Sequence, residues 1–529
     1  MQCPVFEQMV LYYLIMGKLR HVVPSFEVLV NIMAVGSGVF LFLLLLINGP
    51  GVSPDSVDYI ATARNLIAGN GFTTYDASPF VSFMPLYPTL LALLMFLGLS
   101  VSQSASLIAA LSYGGMVYVS GRIFNSCIRN VPLKFFMFAV LIWGISIPRI
   151  AVNVWTEMPF LFFTVCFLWM SIRYMGKTTT SLRYVAVTAG FGLLTRSVGL
   201  FFIPSIVMVY FLRWKRAWRK NIFSLFESLI ITCFVPVLWV LGNFIRADTL
   251  LGERGVSTYS IQEVGNTIFY VMGSWFIPTV LPDLLLTLVG AGIVVVCVII
   301  STLTFFPHKT RINFPPFVVI SAFTAILFLA VMSYSSSTVA LDLLGDRHVS
   351  PIYPLVVFLF AGLIDSMSLH RLWFFSRRFI RGVIVLGCII WLIYPIRNAI
   401  RIYQSLVRDS YAYNAHIWYD SELIDYAHTL DDSPDTFIVS NMPDAIFFHT
   451  GLTVHLVPRK TYYNSPSVPD NEFAAIDTAL ESGQKVLLIW FEDKNSRDYV
   501  YTPEELPNKY KVKTTFNGLE GFAAELKTR

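Results

Sequence analysis

Five ionisable side chains of this sequence stand beside apolar stretches that are long enough to cross a membrane. Asp55 and Asp58 follow such a stretch in "SPDSVDY", and Glu157 precedes one in "WTEMPF". Arg196 in "LLTRSVGL" and Arg347 in "GDRHVSPIYP" are placed in the same way. A positioned carboxylate can take a proton from a reacting hydroxyl, and a guanidinium suits bidentate binding of phosphate. These residues are therefore the first candidates for a functional site.

Each candidate also has an ordinary structural interpretation. Asp55 could cap a helix with Asp58 in its first turn, where the helix dipole favours acids, and Gly69 and Gly71 would end that helix. Glu157 could be a solvated helix start. The arginines could extend to lipid headgroups. A carboxylate close to lipid is expensive, however, which favours a function or a partner for Glu157.

The composition indicates what kind of chain must position these residues. The 529 residues are 55% hydrophobic and 13% charged, with a mean hydropathy of +0.64. A soluble chain of this length carries a far larger charged share. Basic clusters recur, and each lies beside an apolar stretch, which indicates topological charges on the inner face of a membrane rather than nucleic-acid binding. We therefore expect a multi-pass protein of the cell (inner or plasma) membrane.

The apolar stretches predict a mainly α-helical, polytopic fold. We expect about eleven transmembrane helices, with the N-terminus in the cytoplasm, in a domain of residues 1–400. A large first outer loop, about 48–102, would contain a segment lying along the membrane interface. In residues 401–529, the alternation of strand-like and helix-like segments predicts a small extracytoplasmic α/β domain with a mostly parallel sheet. The predicted spans are 28–47, 103–122, 134–150, 157–172, 182–195, 198–212, 222–245, 282–306, 315–334, 350–367 and 380–398.

The motifs and their order resemble the GT-C superfamily of integral-membrane glycosyltransferases. That superfamily includes protein O-mannosyltransferases and bacterial aminoarabinose transferases. Its first outer loop is matched by Asp55, Tyr59, the Gly69/Gly71 pair and the "PLYP" that begins at Pro85. "WTEMPF", "LLTRSVGLFFIP" and "DRHVSPIYP" are similar to its acidic, basic and late Arg–Pro motifs. Each motif is short, and their shared order is the specific part of the resemblance.

The resemblance implies a reaction. A hexosyl or pentosyl group would move from a polyprenyl-phosphate donor to an acceptor hydroxyl at the extracytoplasmic membrane face, with inversion. Asp55 takes the position of the general base, and Glu157 would orient the acceptor or tune Asp55. Asp58 and Tyr59 would contact substrate.

The resemblance also implies how the donor is held. Arg196 and Arg347 would bind its phosphate, and His348 occupies a place where relatives often carry Tyr. Some relatives that use pyrophosphate-linked donors need a divalent cation. Asp55 and Glu157 offer fewer oxygen ligands than a hard cation usually takes, so we predict no metal and no other cofactor. The expected partners are the lipid-linked donor, membrane lipids and an acceptor that is left open among protein, lipid and glycan.

Two other classes of function remain open on the sequence. A transporter or flippase would explain many spans with sparse charge, but would carry inverted repeats or broken helices with charge at mid-membrane depth. A catalytically silent scaffold that presents the C-terminal domain would tolerate the loss of Asp55. The sequence shows no internal repeat, and its candidate residues cluster toward one surface.

Overall fold

The protein folds into a bundle of apolar helices with a small sheet domain packed on one end. The computed structural model describes residues 25–176, 180–305, 314–366, 378–492 and 497–528. Within these ranges, nine helices are long and apolar enough to cross a membrane. The predicted mainly α-helical, polytopic fold with a small C-terminal α/β domain is therefore confirmed.

In the described ranges, sixteen α-helices precede the C-terminal domain. They are α1 Phe26–Asn48, α2 Pro54–Ala68, α3 Leu86–Phe96, α4 Val101–Cys127, α5 Val131–Ile142, α6 Ser146–Ala151, α7 Glu157–Met175, α8 Leu182–Thr195, α9 Phe202–Trp214, α10 Ile222–Ala247, α11 Ile261–Ser274, α12 Asp283–Phe305, α13 Pro316–Thr338, α14 Asp346–Val349, α15 Tyr353–Ser366 and α16 Arg378–Arg408. Short 3₁₀ turns lead into α9 (Ser197–Phe201) and α15 (Ser350–Ile352).

Small residues let α1 and α4 approach closely. A Cβ on Gly38 would lie 3.1 Å from the carbonyl oxygen of Ala110, and one on Gly114 would lie 2.8 Å from that of Ala34. In lipid, such close backbone packing replaces the hydrophobic driving force that joins helices in water. This pairing fixes both ends of the first loop, which leaves α1 and returns through α4.

Helix α2 carries the two aspartates, and it is capped by serines. The backbone N–H of Ser53 donates to Oγ of Ser56 at 3.0 Å, and Pro54 fills the first helical position. Gly69 ends the helix with a φ of +84°, a left-handed conformation that glycine adopts without strain. The interpretation of Asp55 as the helix cap is therefore wrong, because Ser53 caps the helix and the Asp55 side chain is left for other contacts.

The C-terminal domain, residues 416–528, is a five-stranded sheet flanked by short helices. The elements are α17 His416–Tyr419, α18 Glu422–His428, β1 Thr436–Ser440, α19 Pro443–Thr450, β2 His455–Leu456, α20 Ala474–Glu481, β3 Lys485–Phe491, β4 Tyr510–Gly518 and β5 Gly521–Thr528. The strands are ordered β2-β1-β3-β5-β4. Strand β1 pairs in parallel with β2 and β3, whereas β5 is antiparallel to β3 and β4. The sheet is thus mixed rather than mostly parallel, because β4 and β5 form an antiparallel hairpin beside β3.

The first loop and the C-terminal domain share one apolar core. Val57 and Ile60 of α2 are buried in the same cluster as Ala445 and Ile446 of α19. The backbone also joins the first loop to the segment that leads into this domain, since the N–H of Val52 donates to the carbonyl of Tyr411 at 3.2 Å. The helix that carries Asp55 is therefore held from the side by the C-terminal domain.

Candidate functional site

Four of the predicted site residues form one ion-pair network at the ends of the membrane-length helices. Nη2 of Arg347 lies 2.8 Å from Oδ2 of Asp55, and its Nε lies 3.9 Å from Oε1 of Glu157. Nη1 of Arg196 lies 2.5 Å from the same Glu157 oxygen. Residues that are far apart in the sequence therefore alternate in charge across the network.

Element ends position each member of this network. Glu157 is the first residue of α7, and Arg196 directly follows α8, where its Nη1 donates to Oγ1 of Thr156 at 3.1 Å. Next to Arg347 in the chain, the half-buried carboxylate of Asp346 accepts hydrogen bonds from Oγ of Ser146 and, at 3.2 Å, from the indole of Trp275. Three separate helix junctions thus meet at one point.

Trp155 joins the aspartate helix to the arginines. Its indole Nε1 donates to Oγ of Ser53 at 2.9 Å, next to the start of α2. The guanidinium of Arg347 lies 5.0 Å from the centroid of the same ring, within the range of a cation–π contact. The sequence-based interpretation missed Trp155, although it lies inside the "WTEMPF" motif that signalled Glu157.

The two carboxylates of the network differ in access to water. The Glu157 side chain is 3% exposed and lies between two guanidinium groups, whereas the Asp55 side chain is 33% exposed. Arg347 engages only Oδ2 of Asp55, and Oδ1 has no hydrogen-bond donor among the residues that the structure describes. Among the described residues, Asp55 therefore keeps one acceptor oxygen without a donor, whereas the Glu157 carboxylate is paired with both arginines.

Tyr59 and His348 lie against the network. Tyr59 is buried, with its ring 5.1 Å from that of Phe83 and 5.3 Å from that of Tyr87. Burial raises the pKa of Tyr59 well above its ordinary value, so the phenol is neutral. His348 lies 3.1 Å from Nε of Arg347 through Nε2 and 3.1 Å from the N–H of Gly345 through Nδ1. A neutral imidazole has one acceptor nitrogen, so it accepts only one of these bonds at a time.

Asp58 has a different environment from Asp55, one helical turn away. Its electrostatic neighbours include Asp76 of the first loop and Asp444 and Arg497 of the C-terminal domain. The surrounding protein, followed by the nearby carboxylates, raises the pKa of Asp58 well above its ordinary value. Of the two aspartates in "SPDSVDY", Asp55 joins the arginine network, and Asp58 lies toward the C-terminal domain.

A second ion pair, which we name the interface pair, lies in that region. Nη2 of Arg497 contacts both carboxylate oxygens of Asp444 at 2.8 Å. The Tyr413 hydroxyl donates to Oδ2 of Asp444 at 2.8 Å, and Nη1 of Arg497 donates to the carbonyl of Asn441 at 3.1 Å. The Asp444 side chain is 1% exposed and that of Arg497 12%. This pair is closed to solvent.

The sequence-based interpretation missed two further charges beside the network. Oδ2 of Asp342 accepts a hydrogen bond from Nη2 of Arg347 at 3.4 Å. The only sequence signal for Asp342 was its position five residues before Arg347. Arg254, in the loop between α10 and α11, is open to solvent and donates to the carbonyl of Ser82 at 3.4 Å. Partial desolvation by the surrounding protein lowers the pKa of Arg254, and the negative charges of Asp55 and Asp342 oppose that shift. In the described part of the chain, no carboxylate lies within ion-pair distance of Arg254.

Metal-binding side chains are not grouped around the network. Among the residues that the structure describes, no set of three or more His, Cys, Asp and Glu side chains is arranged to hold a metal ion. Asp55 and Glu157 each have a guanidinium as their nearest charged partner.

The helix order, the loop helix α2 and the C-terminal sheet domain together define a multi-pass membrane protein with the GT-C fold. Solved structures of membrane glycosyltransferases share this architecture. ArnT from Cupriavidus metallidurans, bound to undecaprenyl phosphate, has a TM-score of 0.57 at 14% identity, over 93% of this chain and 97% of that chain. The resemblance seen in the sequence is thus confirmed at the level of the fold.

Two other structures extend this similarity. Arabinofuranosyltransferase AftD from Mycobacteria has a TM-score of 0.51 at 13% identity, over 94% of this chain and 41% of that chain. The archaeal oligosaccharyltransferase AglB from Archaeoglobus fulgidus, in complex with an inhibitory peptide and a dolichol-phosphate, has a TM-score of 0.50 at 12% identity, over 94% and 74%. No protein-family profile and no curated relative matches the sequence.

Proposed function

We propose that this protein is a glycosyltransferase that moves a hexosyl or pentosyl group from a polyprenyl-phosphate donor to an acceptor hydroxyl. The observation that carries the proposal is the partly exposed Asp55 carboxylate, which Arg347 contacts through one oxygen only. The ion pair of Glu157 and Arg196 lies beside it. The similarity to ArnT, which was solved with undecaprenyl phosphate, supports the donor class.

Asp55 is the proposed general base. Its free Oδ1 takes the proton of the acceptor hydroxyl while the acceptor oxygen attacks the anomeric carbon. The bond between that carbon and the phosphate oxygen breaks, and the phosphate leaves with the electron pair. A single displacement inverts the anomeric configuration. Because the lipid phosphate leaves as a stable anion, the site needs one base and positive charge rather than a second acid.

The balance of charge at the site indicates how the donor phosphate is held. Asp55, Glu157 and Asp342 supply more negative charge than Arg196 and Arg347 can neutralise. Arg254 restores the balance, and as an exposed guanidinium without an ion-pair partner in the described chain it is the group best able to accept a phosphate. We assign the phosphate to Arg254 with the remaining N–H groups of Arg196 and Arg347. The negative charge on the phosphate grows as it leaves, so these groups stabilise the transition state.

The other predicted residues support this arrangement. Glu157 forms ion pairs with both Arg196 and Arg347, and Nε2 of His348 lies within hydrogen-bond distance of Nε of Arg347. Tyr59 lies beside Thr156, and Asp58 lies toward Asp444 and Arg497 of the C-terminal domain. The basic clusters next to the apolar helices favour a cytoplasmic N-terminus, with the site at the extracytoplasmic face.

The proposal is tested with the purified full-length protein in detergent and radiolabelled undecaprenyl-phosphate sugars. The wild type should release undecaprenyl phosphate, and Asp55→Asn should lower that rate by about 10²–10⁴-fold, the usual contribution of a positioned base. Binding of undecaprenyl phosphate by Asp55→Asn should stay at the wild-type level. The exposed Asp420→Asn is the matched control and should leave both quantities unchanged.

A second variant tests the donor side separately. Arg254→Gln should weaken binding of undecaprenyl phosphate while the Asp55–Arg347 contact remains. Wild-type turnover by Asp55→Asn would remove Asp55 as the base. A wild-type protein that neither binds undecaprenyl phosphate nor releases it from any labelled donor would overturn the proposed function.

A further inference from the structure

A turn of the C-terminal domain, residues 459–468, reaches across the rim of the candidate site. We name this turn the finger. Its residue Asn464 donates through Nδ2 to the carbonyl of Leu341 at 3.2 Å and accepts from Oγ1 of Thr258 at 3.4 Å. A Cβ on Gly255 would lie 2.2 Å from Oγ of Ser465, so only glycine permits this approach. The finger therefore rests on the two loops that carry Arg254 and Asp342.

The finger is braced by its own hydrogen bonds. The N–H of Tyr462 donates to the carbonyl of Ser467 at 2.9 Å, and the N–H of Ser465 donates to the carbonyl of Tyr462 at 3.1 Å. At its base, Nη2 of Arg459 lies 2.6 Å from Oε1 of Glu472. A turn that is closed by backbone bonds and held by an ion pair can hold a side chain in a fixed place.

Tyr463 is the side chain that the finger brings to the site. Its ring is 45% exposed and meets the ring of Tyr499 at an angle, with centroids 5.3 Å apart. Its hydroxyl lies beside the Asp342 carboxylate, and burial together with that neighbour raises the pKa of Tyr463 to about 12. Asp342 is itself 45% exposed and contacts Arg347, which in turn holds Asp55. An unbroken series of contacts thus joins the finger to the proposed base.

These groups fit a sugar better than a single hydroxyl. A saccharide presents a row of hydroxyls together with an apolar C–H face. The half-exposed carboxylate can accept from the hydroxyls, and the half-exposed aromatic ring can cover the C–H face. A serine or threonine side chain offers one hydroxyl and little surface, so it would leave Tyr463 unused.

The charges of the finger also favour a neutral ligand. Its two cations are already paired, Arg459 with Glu472 and Lys460 with Glu505, the latter at 2.7 Å. Asp342 adds a negative charge next to Tyr463. A phosphorylated acceptor would find no uncommitted cation on the finger, whereas the donor phosphate has Arg254 on the adjacent loop.

We propose that Tyr463 and Asp342 form the acceptor subsite, and that the acceptor is an uncharged saccharide. This inference rests on the proposed transferase function. It gives the C-terminal domain a direct part in acceptor specificity, because the finger belongs to that domain and reaches the site of the base.

The test uses the purified full-length protein, a labelled undecaprenyl-phosphate sugar and two acceptor probes. The probes are a set of neutral methyl glycosides and a serine-containing peptide amide. With the wild type, a methyl glycoside should accelerate release of undecaprenyl phosphate and become labelled. Tyr463→Leu should raise the KM for that glycoside roughly 3- to 10-fold, the loss expected for one aromatic contact, while kcat changes less than about twofold.

Further variants separate the parts of the subsite. Asp342→Asn should raise the KM in the same way, and Tyr463→Phe should keep most of the affinity because the ring remains. Binding of undecaprenyl phosphate should be unchanged in the two Tyr463 variants, which would show that the donor side of the site is intact. Tyr419→Leu, a half-exposed tyrosine of the same domain outside the finger, is the control and should keep the wild-type KM.

The outcomes distinguish this inference from the proposed function. Donor turnover with an unchanged glycoside KM in Tyr463→Leu and Asp342→Asn would overturn the subsite and leave the transferase in place. Labelling of the peptide but of no methyl glycoside would overturn the saccharide assignment. A wild type that does not use the donor at all would overturn both.

Discussion

The network around Arg347 and the interface pair of Asp444 and Arg497 are built from the same residue types but differ in how completely they are satisfied. Asp55 is 33% exposed and uses one oxygen, whereas Asp444 is 1% exposed and uses both. Arg347 contacts the carboxylates of Asp55, Glu157 and Asp342, whereas Arg497 contacts that of Asp444 through both oxygens. Only the network offers unoccupied acceptor atoms to a ligand.

On the proposed function, this difference separates a reactive arrangement from a structural one. A carboxylate whose oxygens are all bonded can neither accept a proton nor bind a new group without losing contacts. A carboxylate held by one oxygen keeps its orientation and can still react. We therefore expect substitutions in the network to affect activity first, and substitutions in the interface pair to affect stability first.

Arg347→Met should show the largest effect on activity. On the proposed function, the variant removes the contact that holds Asp55 and part of the proposed phosphate site, so release of undecaprenyl phosphate should fall by about 10²–10³-fold. Its loss of stability should be smaller than that of Arg497→Met, because water reaches Asp55 and Arg196 still neutralises Glu157. Enzyme assays and thermal unfolding in detergent measure the two quantities. Arg183→Met, in the exposed pair with Glu227, is the control. Wild-type activity in Arg347→Met would erase the distinction between the two regions.

Arg497→Met should show the largest effect on stability. It leaves the buried Asp444 carboxylate without its partner, which typically costs about 3–5 kcal/mol. Hydrogen exchange of β1 and β3 should report the loss, since these strands lie next to Asn441. The double variant Asp444→Leu/Arg497→Met should recover much of the stability, because no charge remains buried. Equal stability of the single variant and the wild type would contradict the structural role of the pair.

Asp58→Asn should show a smaller effect that depends on pH. The folded protein raises the pKa of Asp58, so it binds the proton more tightly than the unfolded chain does. The stability linked to this proton is complete below an ordinary aspartate pKa of 3.8 and is lost as the pH rises through the folded-state pKa. The melting temperature of the variant relative to wild type should therefore increase with pH above about 4. A difference that is independent of pH, or the same trend in Asp420→Asn, would argue against this environment for Asp58.

Much of the fold could be predicted because the signals are local. Apolar length marks a membrane helix wherever it occurs, and the predicted spans at 28–47 and 222–245 fall within α1 and α10. The span predicted at 134–150 is instead broken into α5 and α6. The break includes Gly144, where a Cβ would lie 2.3 Å from the ring of Tyr353. Because that contact joins residues that are far apart in the sequence, the local pattern around Gly144 could not predict the break.

The same limit explains which site residues could be found. Asp55, Glu157, Arg196 and Arg347 lie in short motifs whose order along the chain is informative. Asp342, Arg254 and Tyr463 lie in loops with no such pattern, and only the folded chain brings them together. Helix α11 was not predicted either, because it is short and amphipathic beside longer apolar stretches.

The core shared by α2 and the C-terminal domain has a consequence for how the protein folds during its synthesis. During synthesis the loop that carries Asp55 emerges well before Tyr411 and α19, against which it packs. We therefore expect the loop to complete its folding only after those segments have been made. A chain that stops before α19 should therefore leave the helix of Asp55 without part of its apolar core.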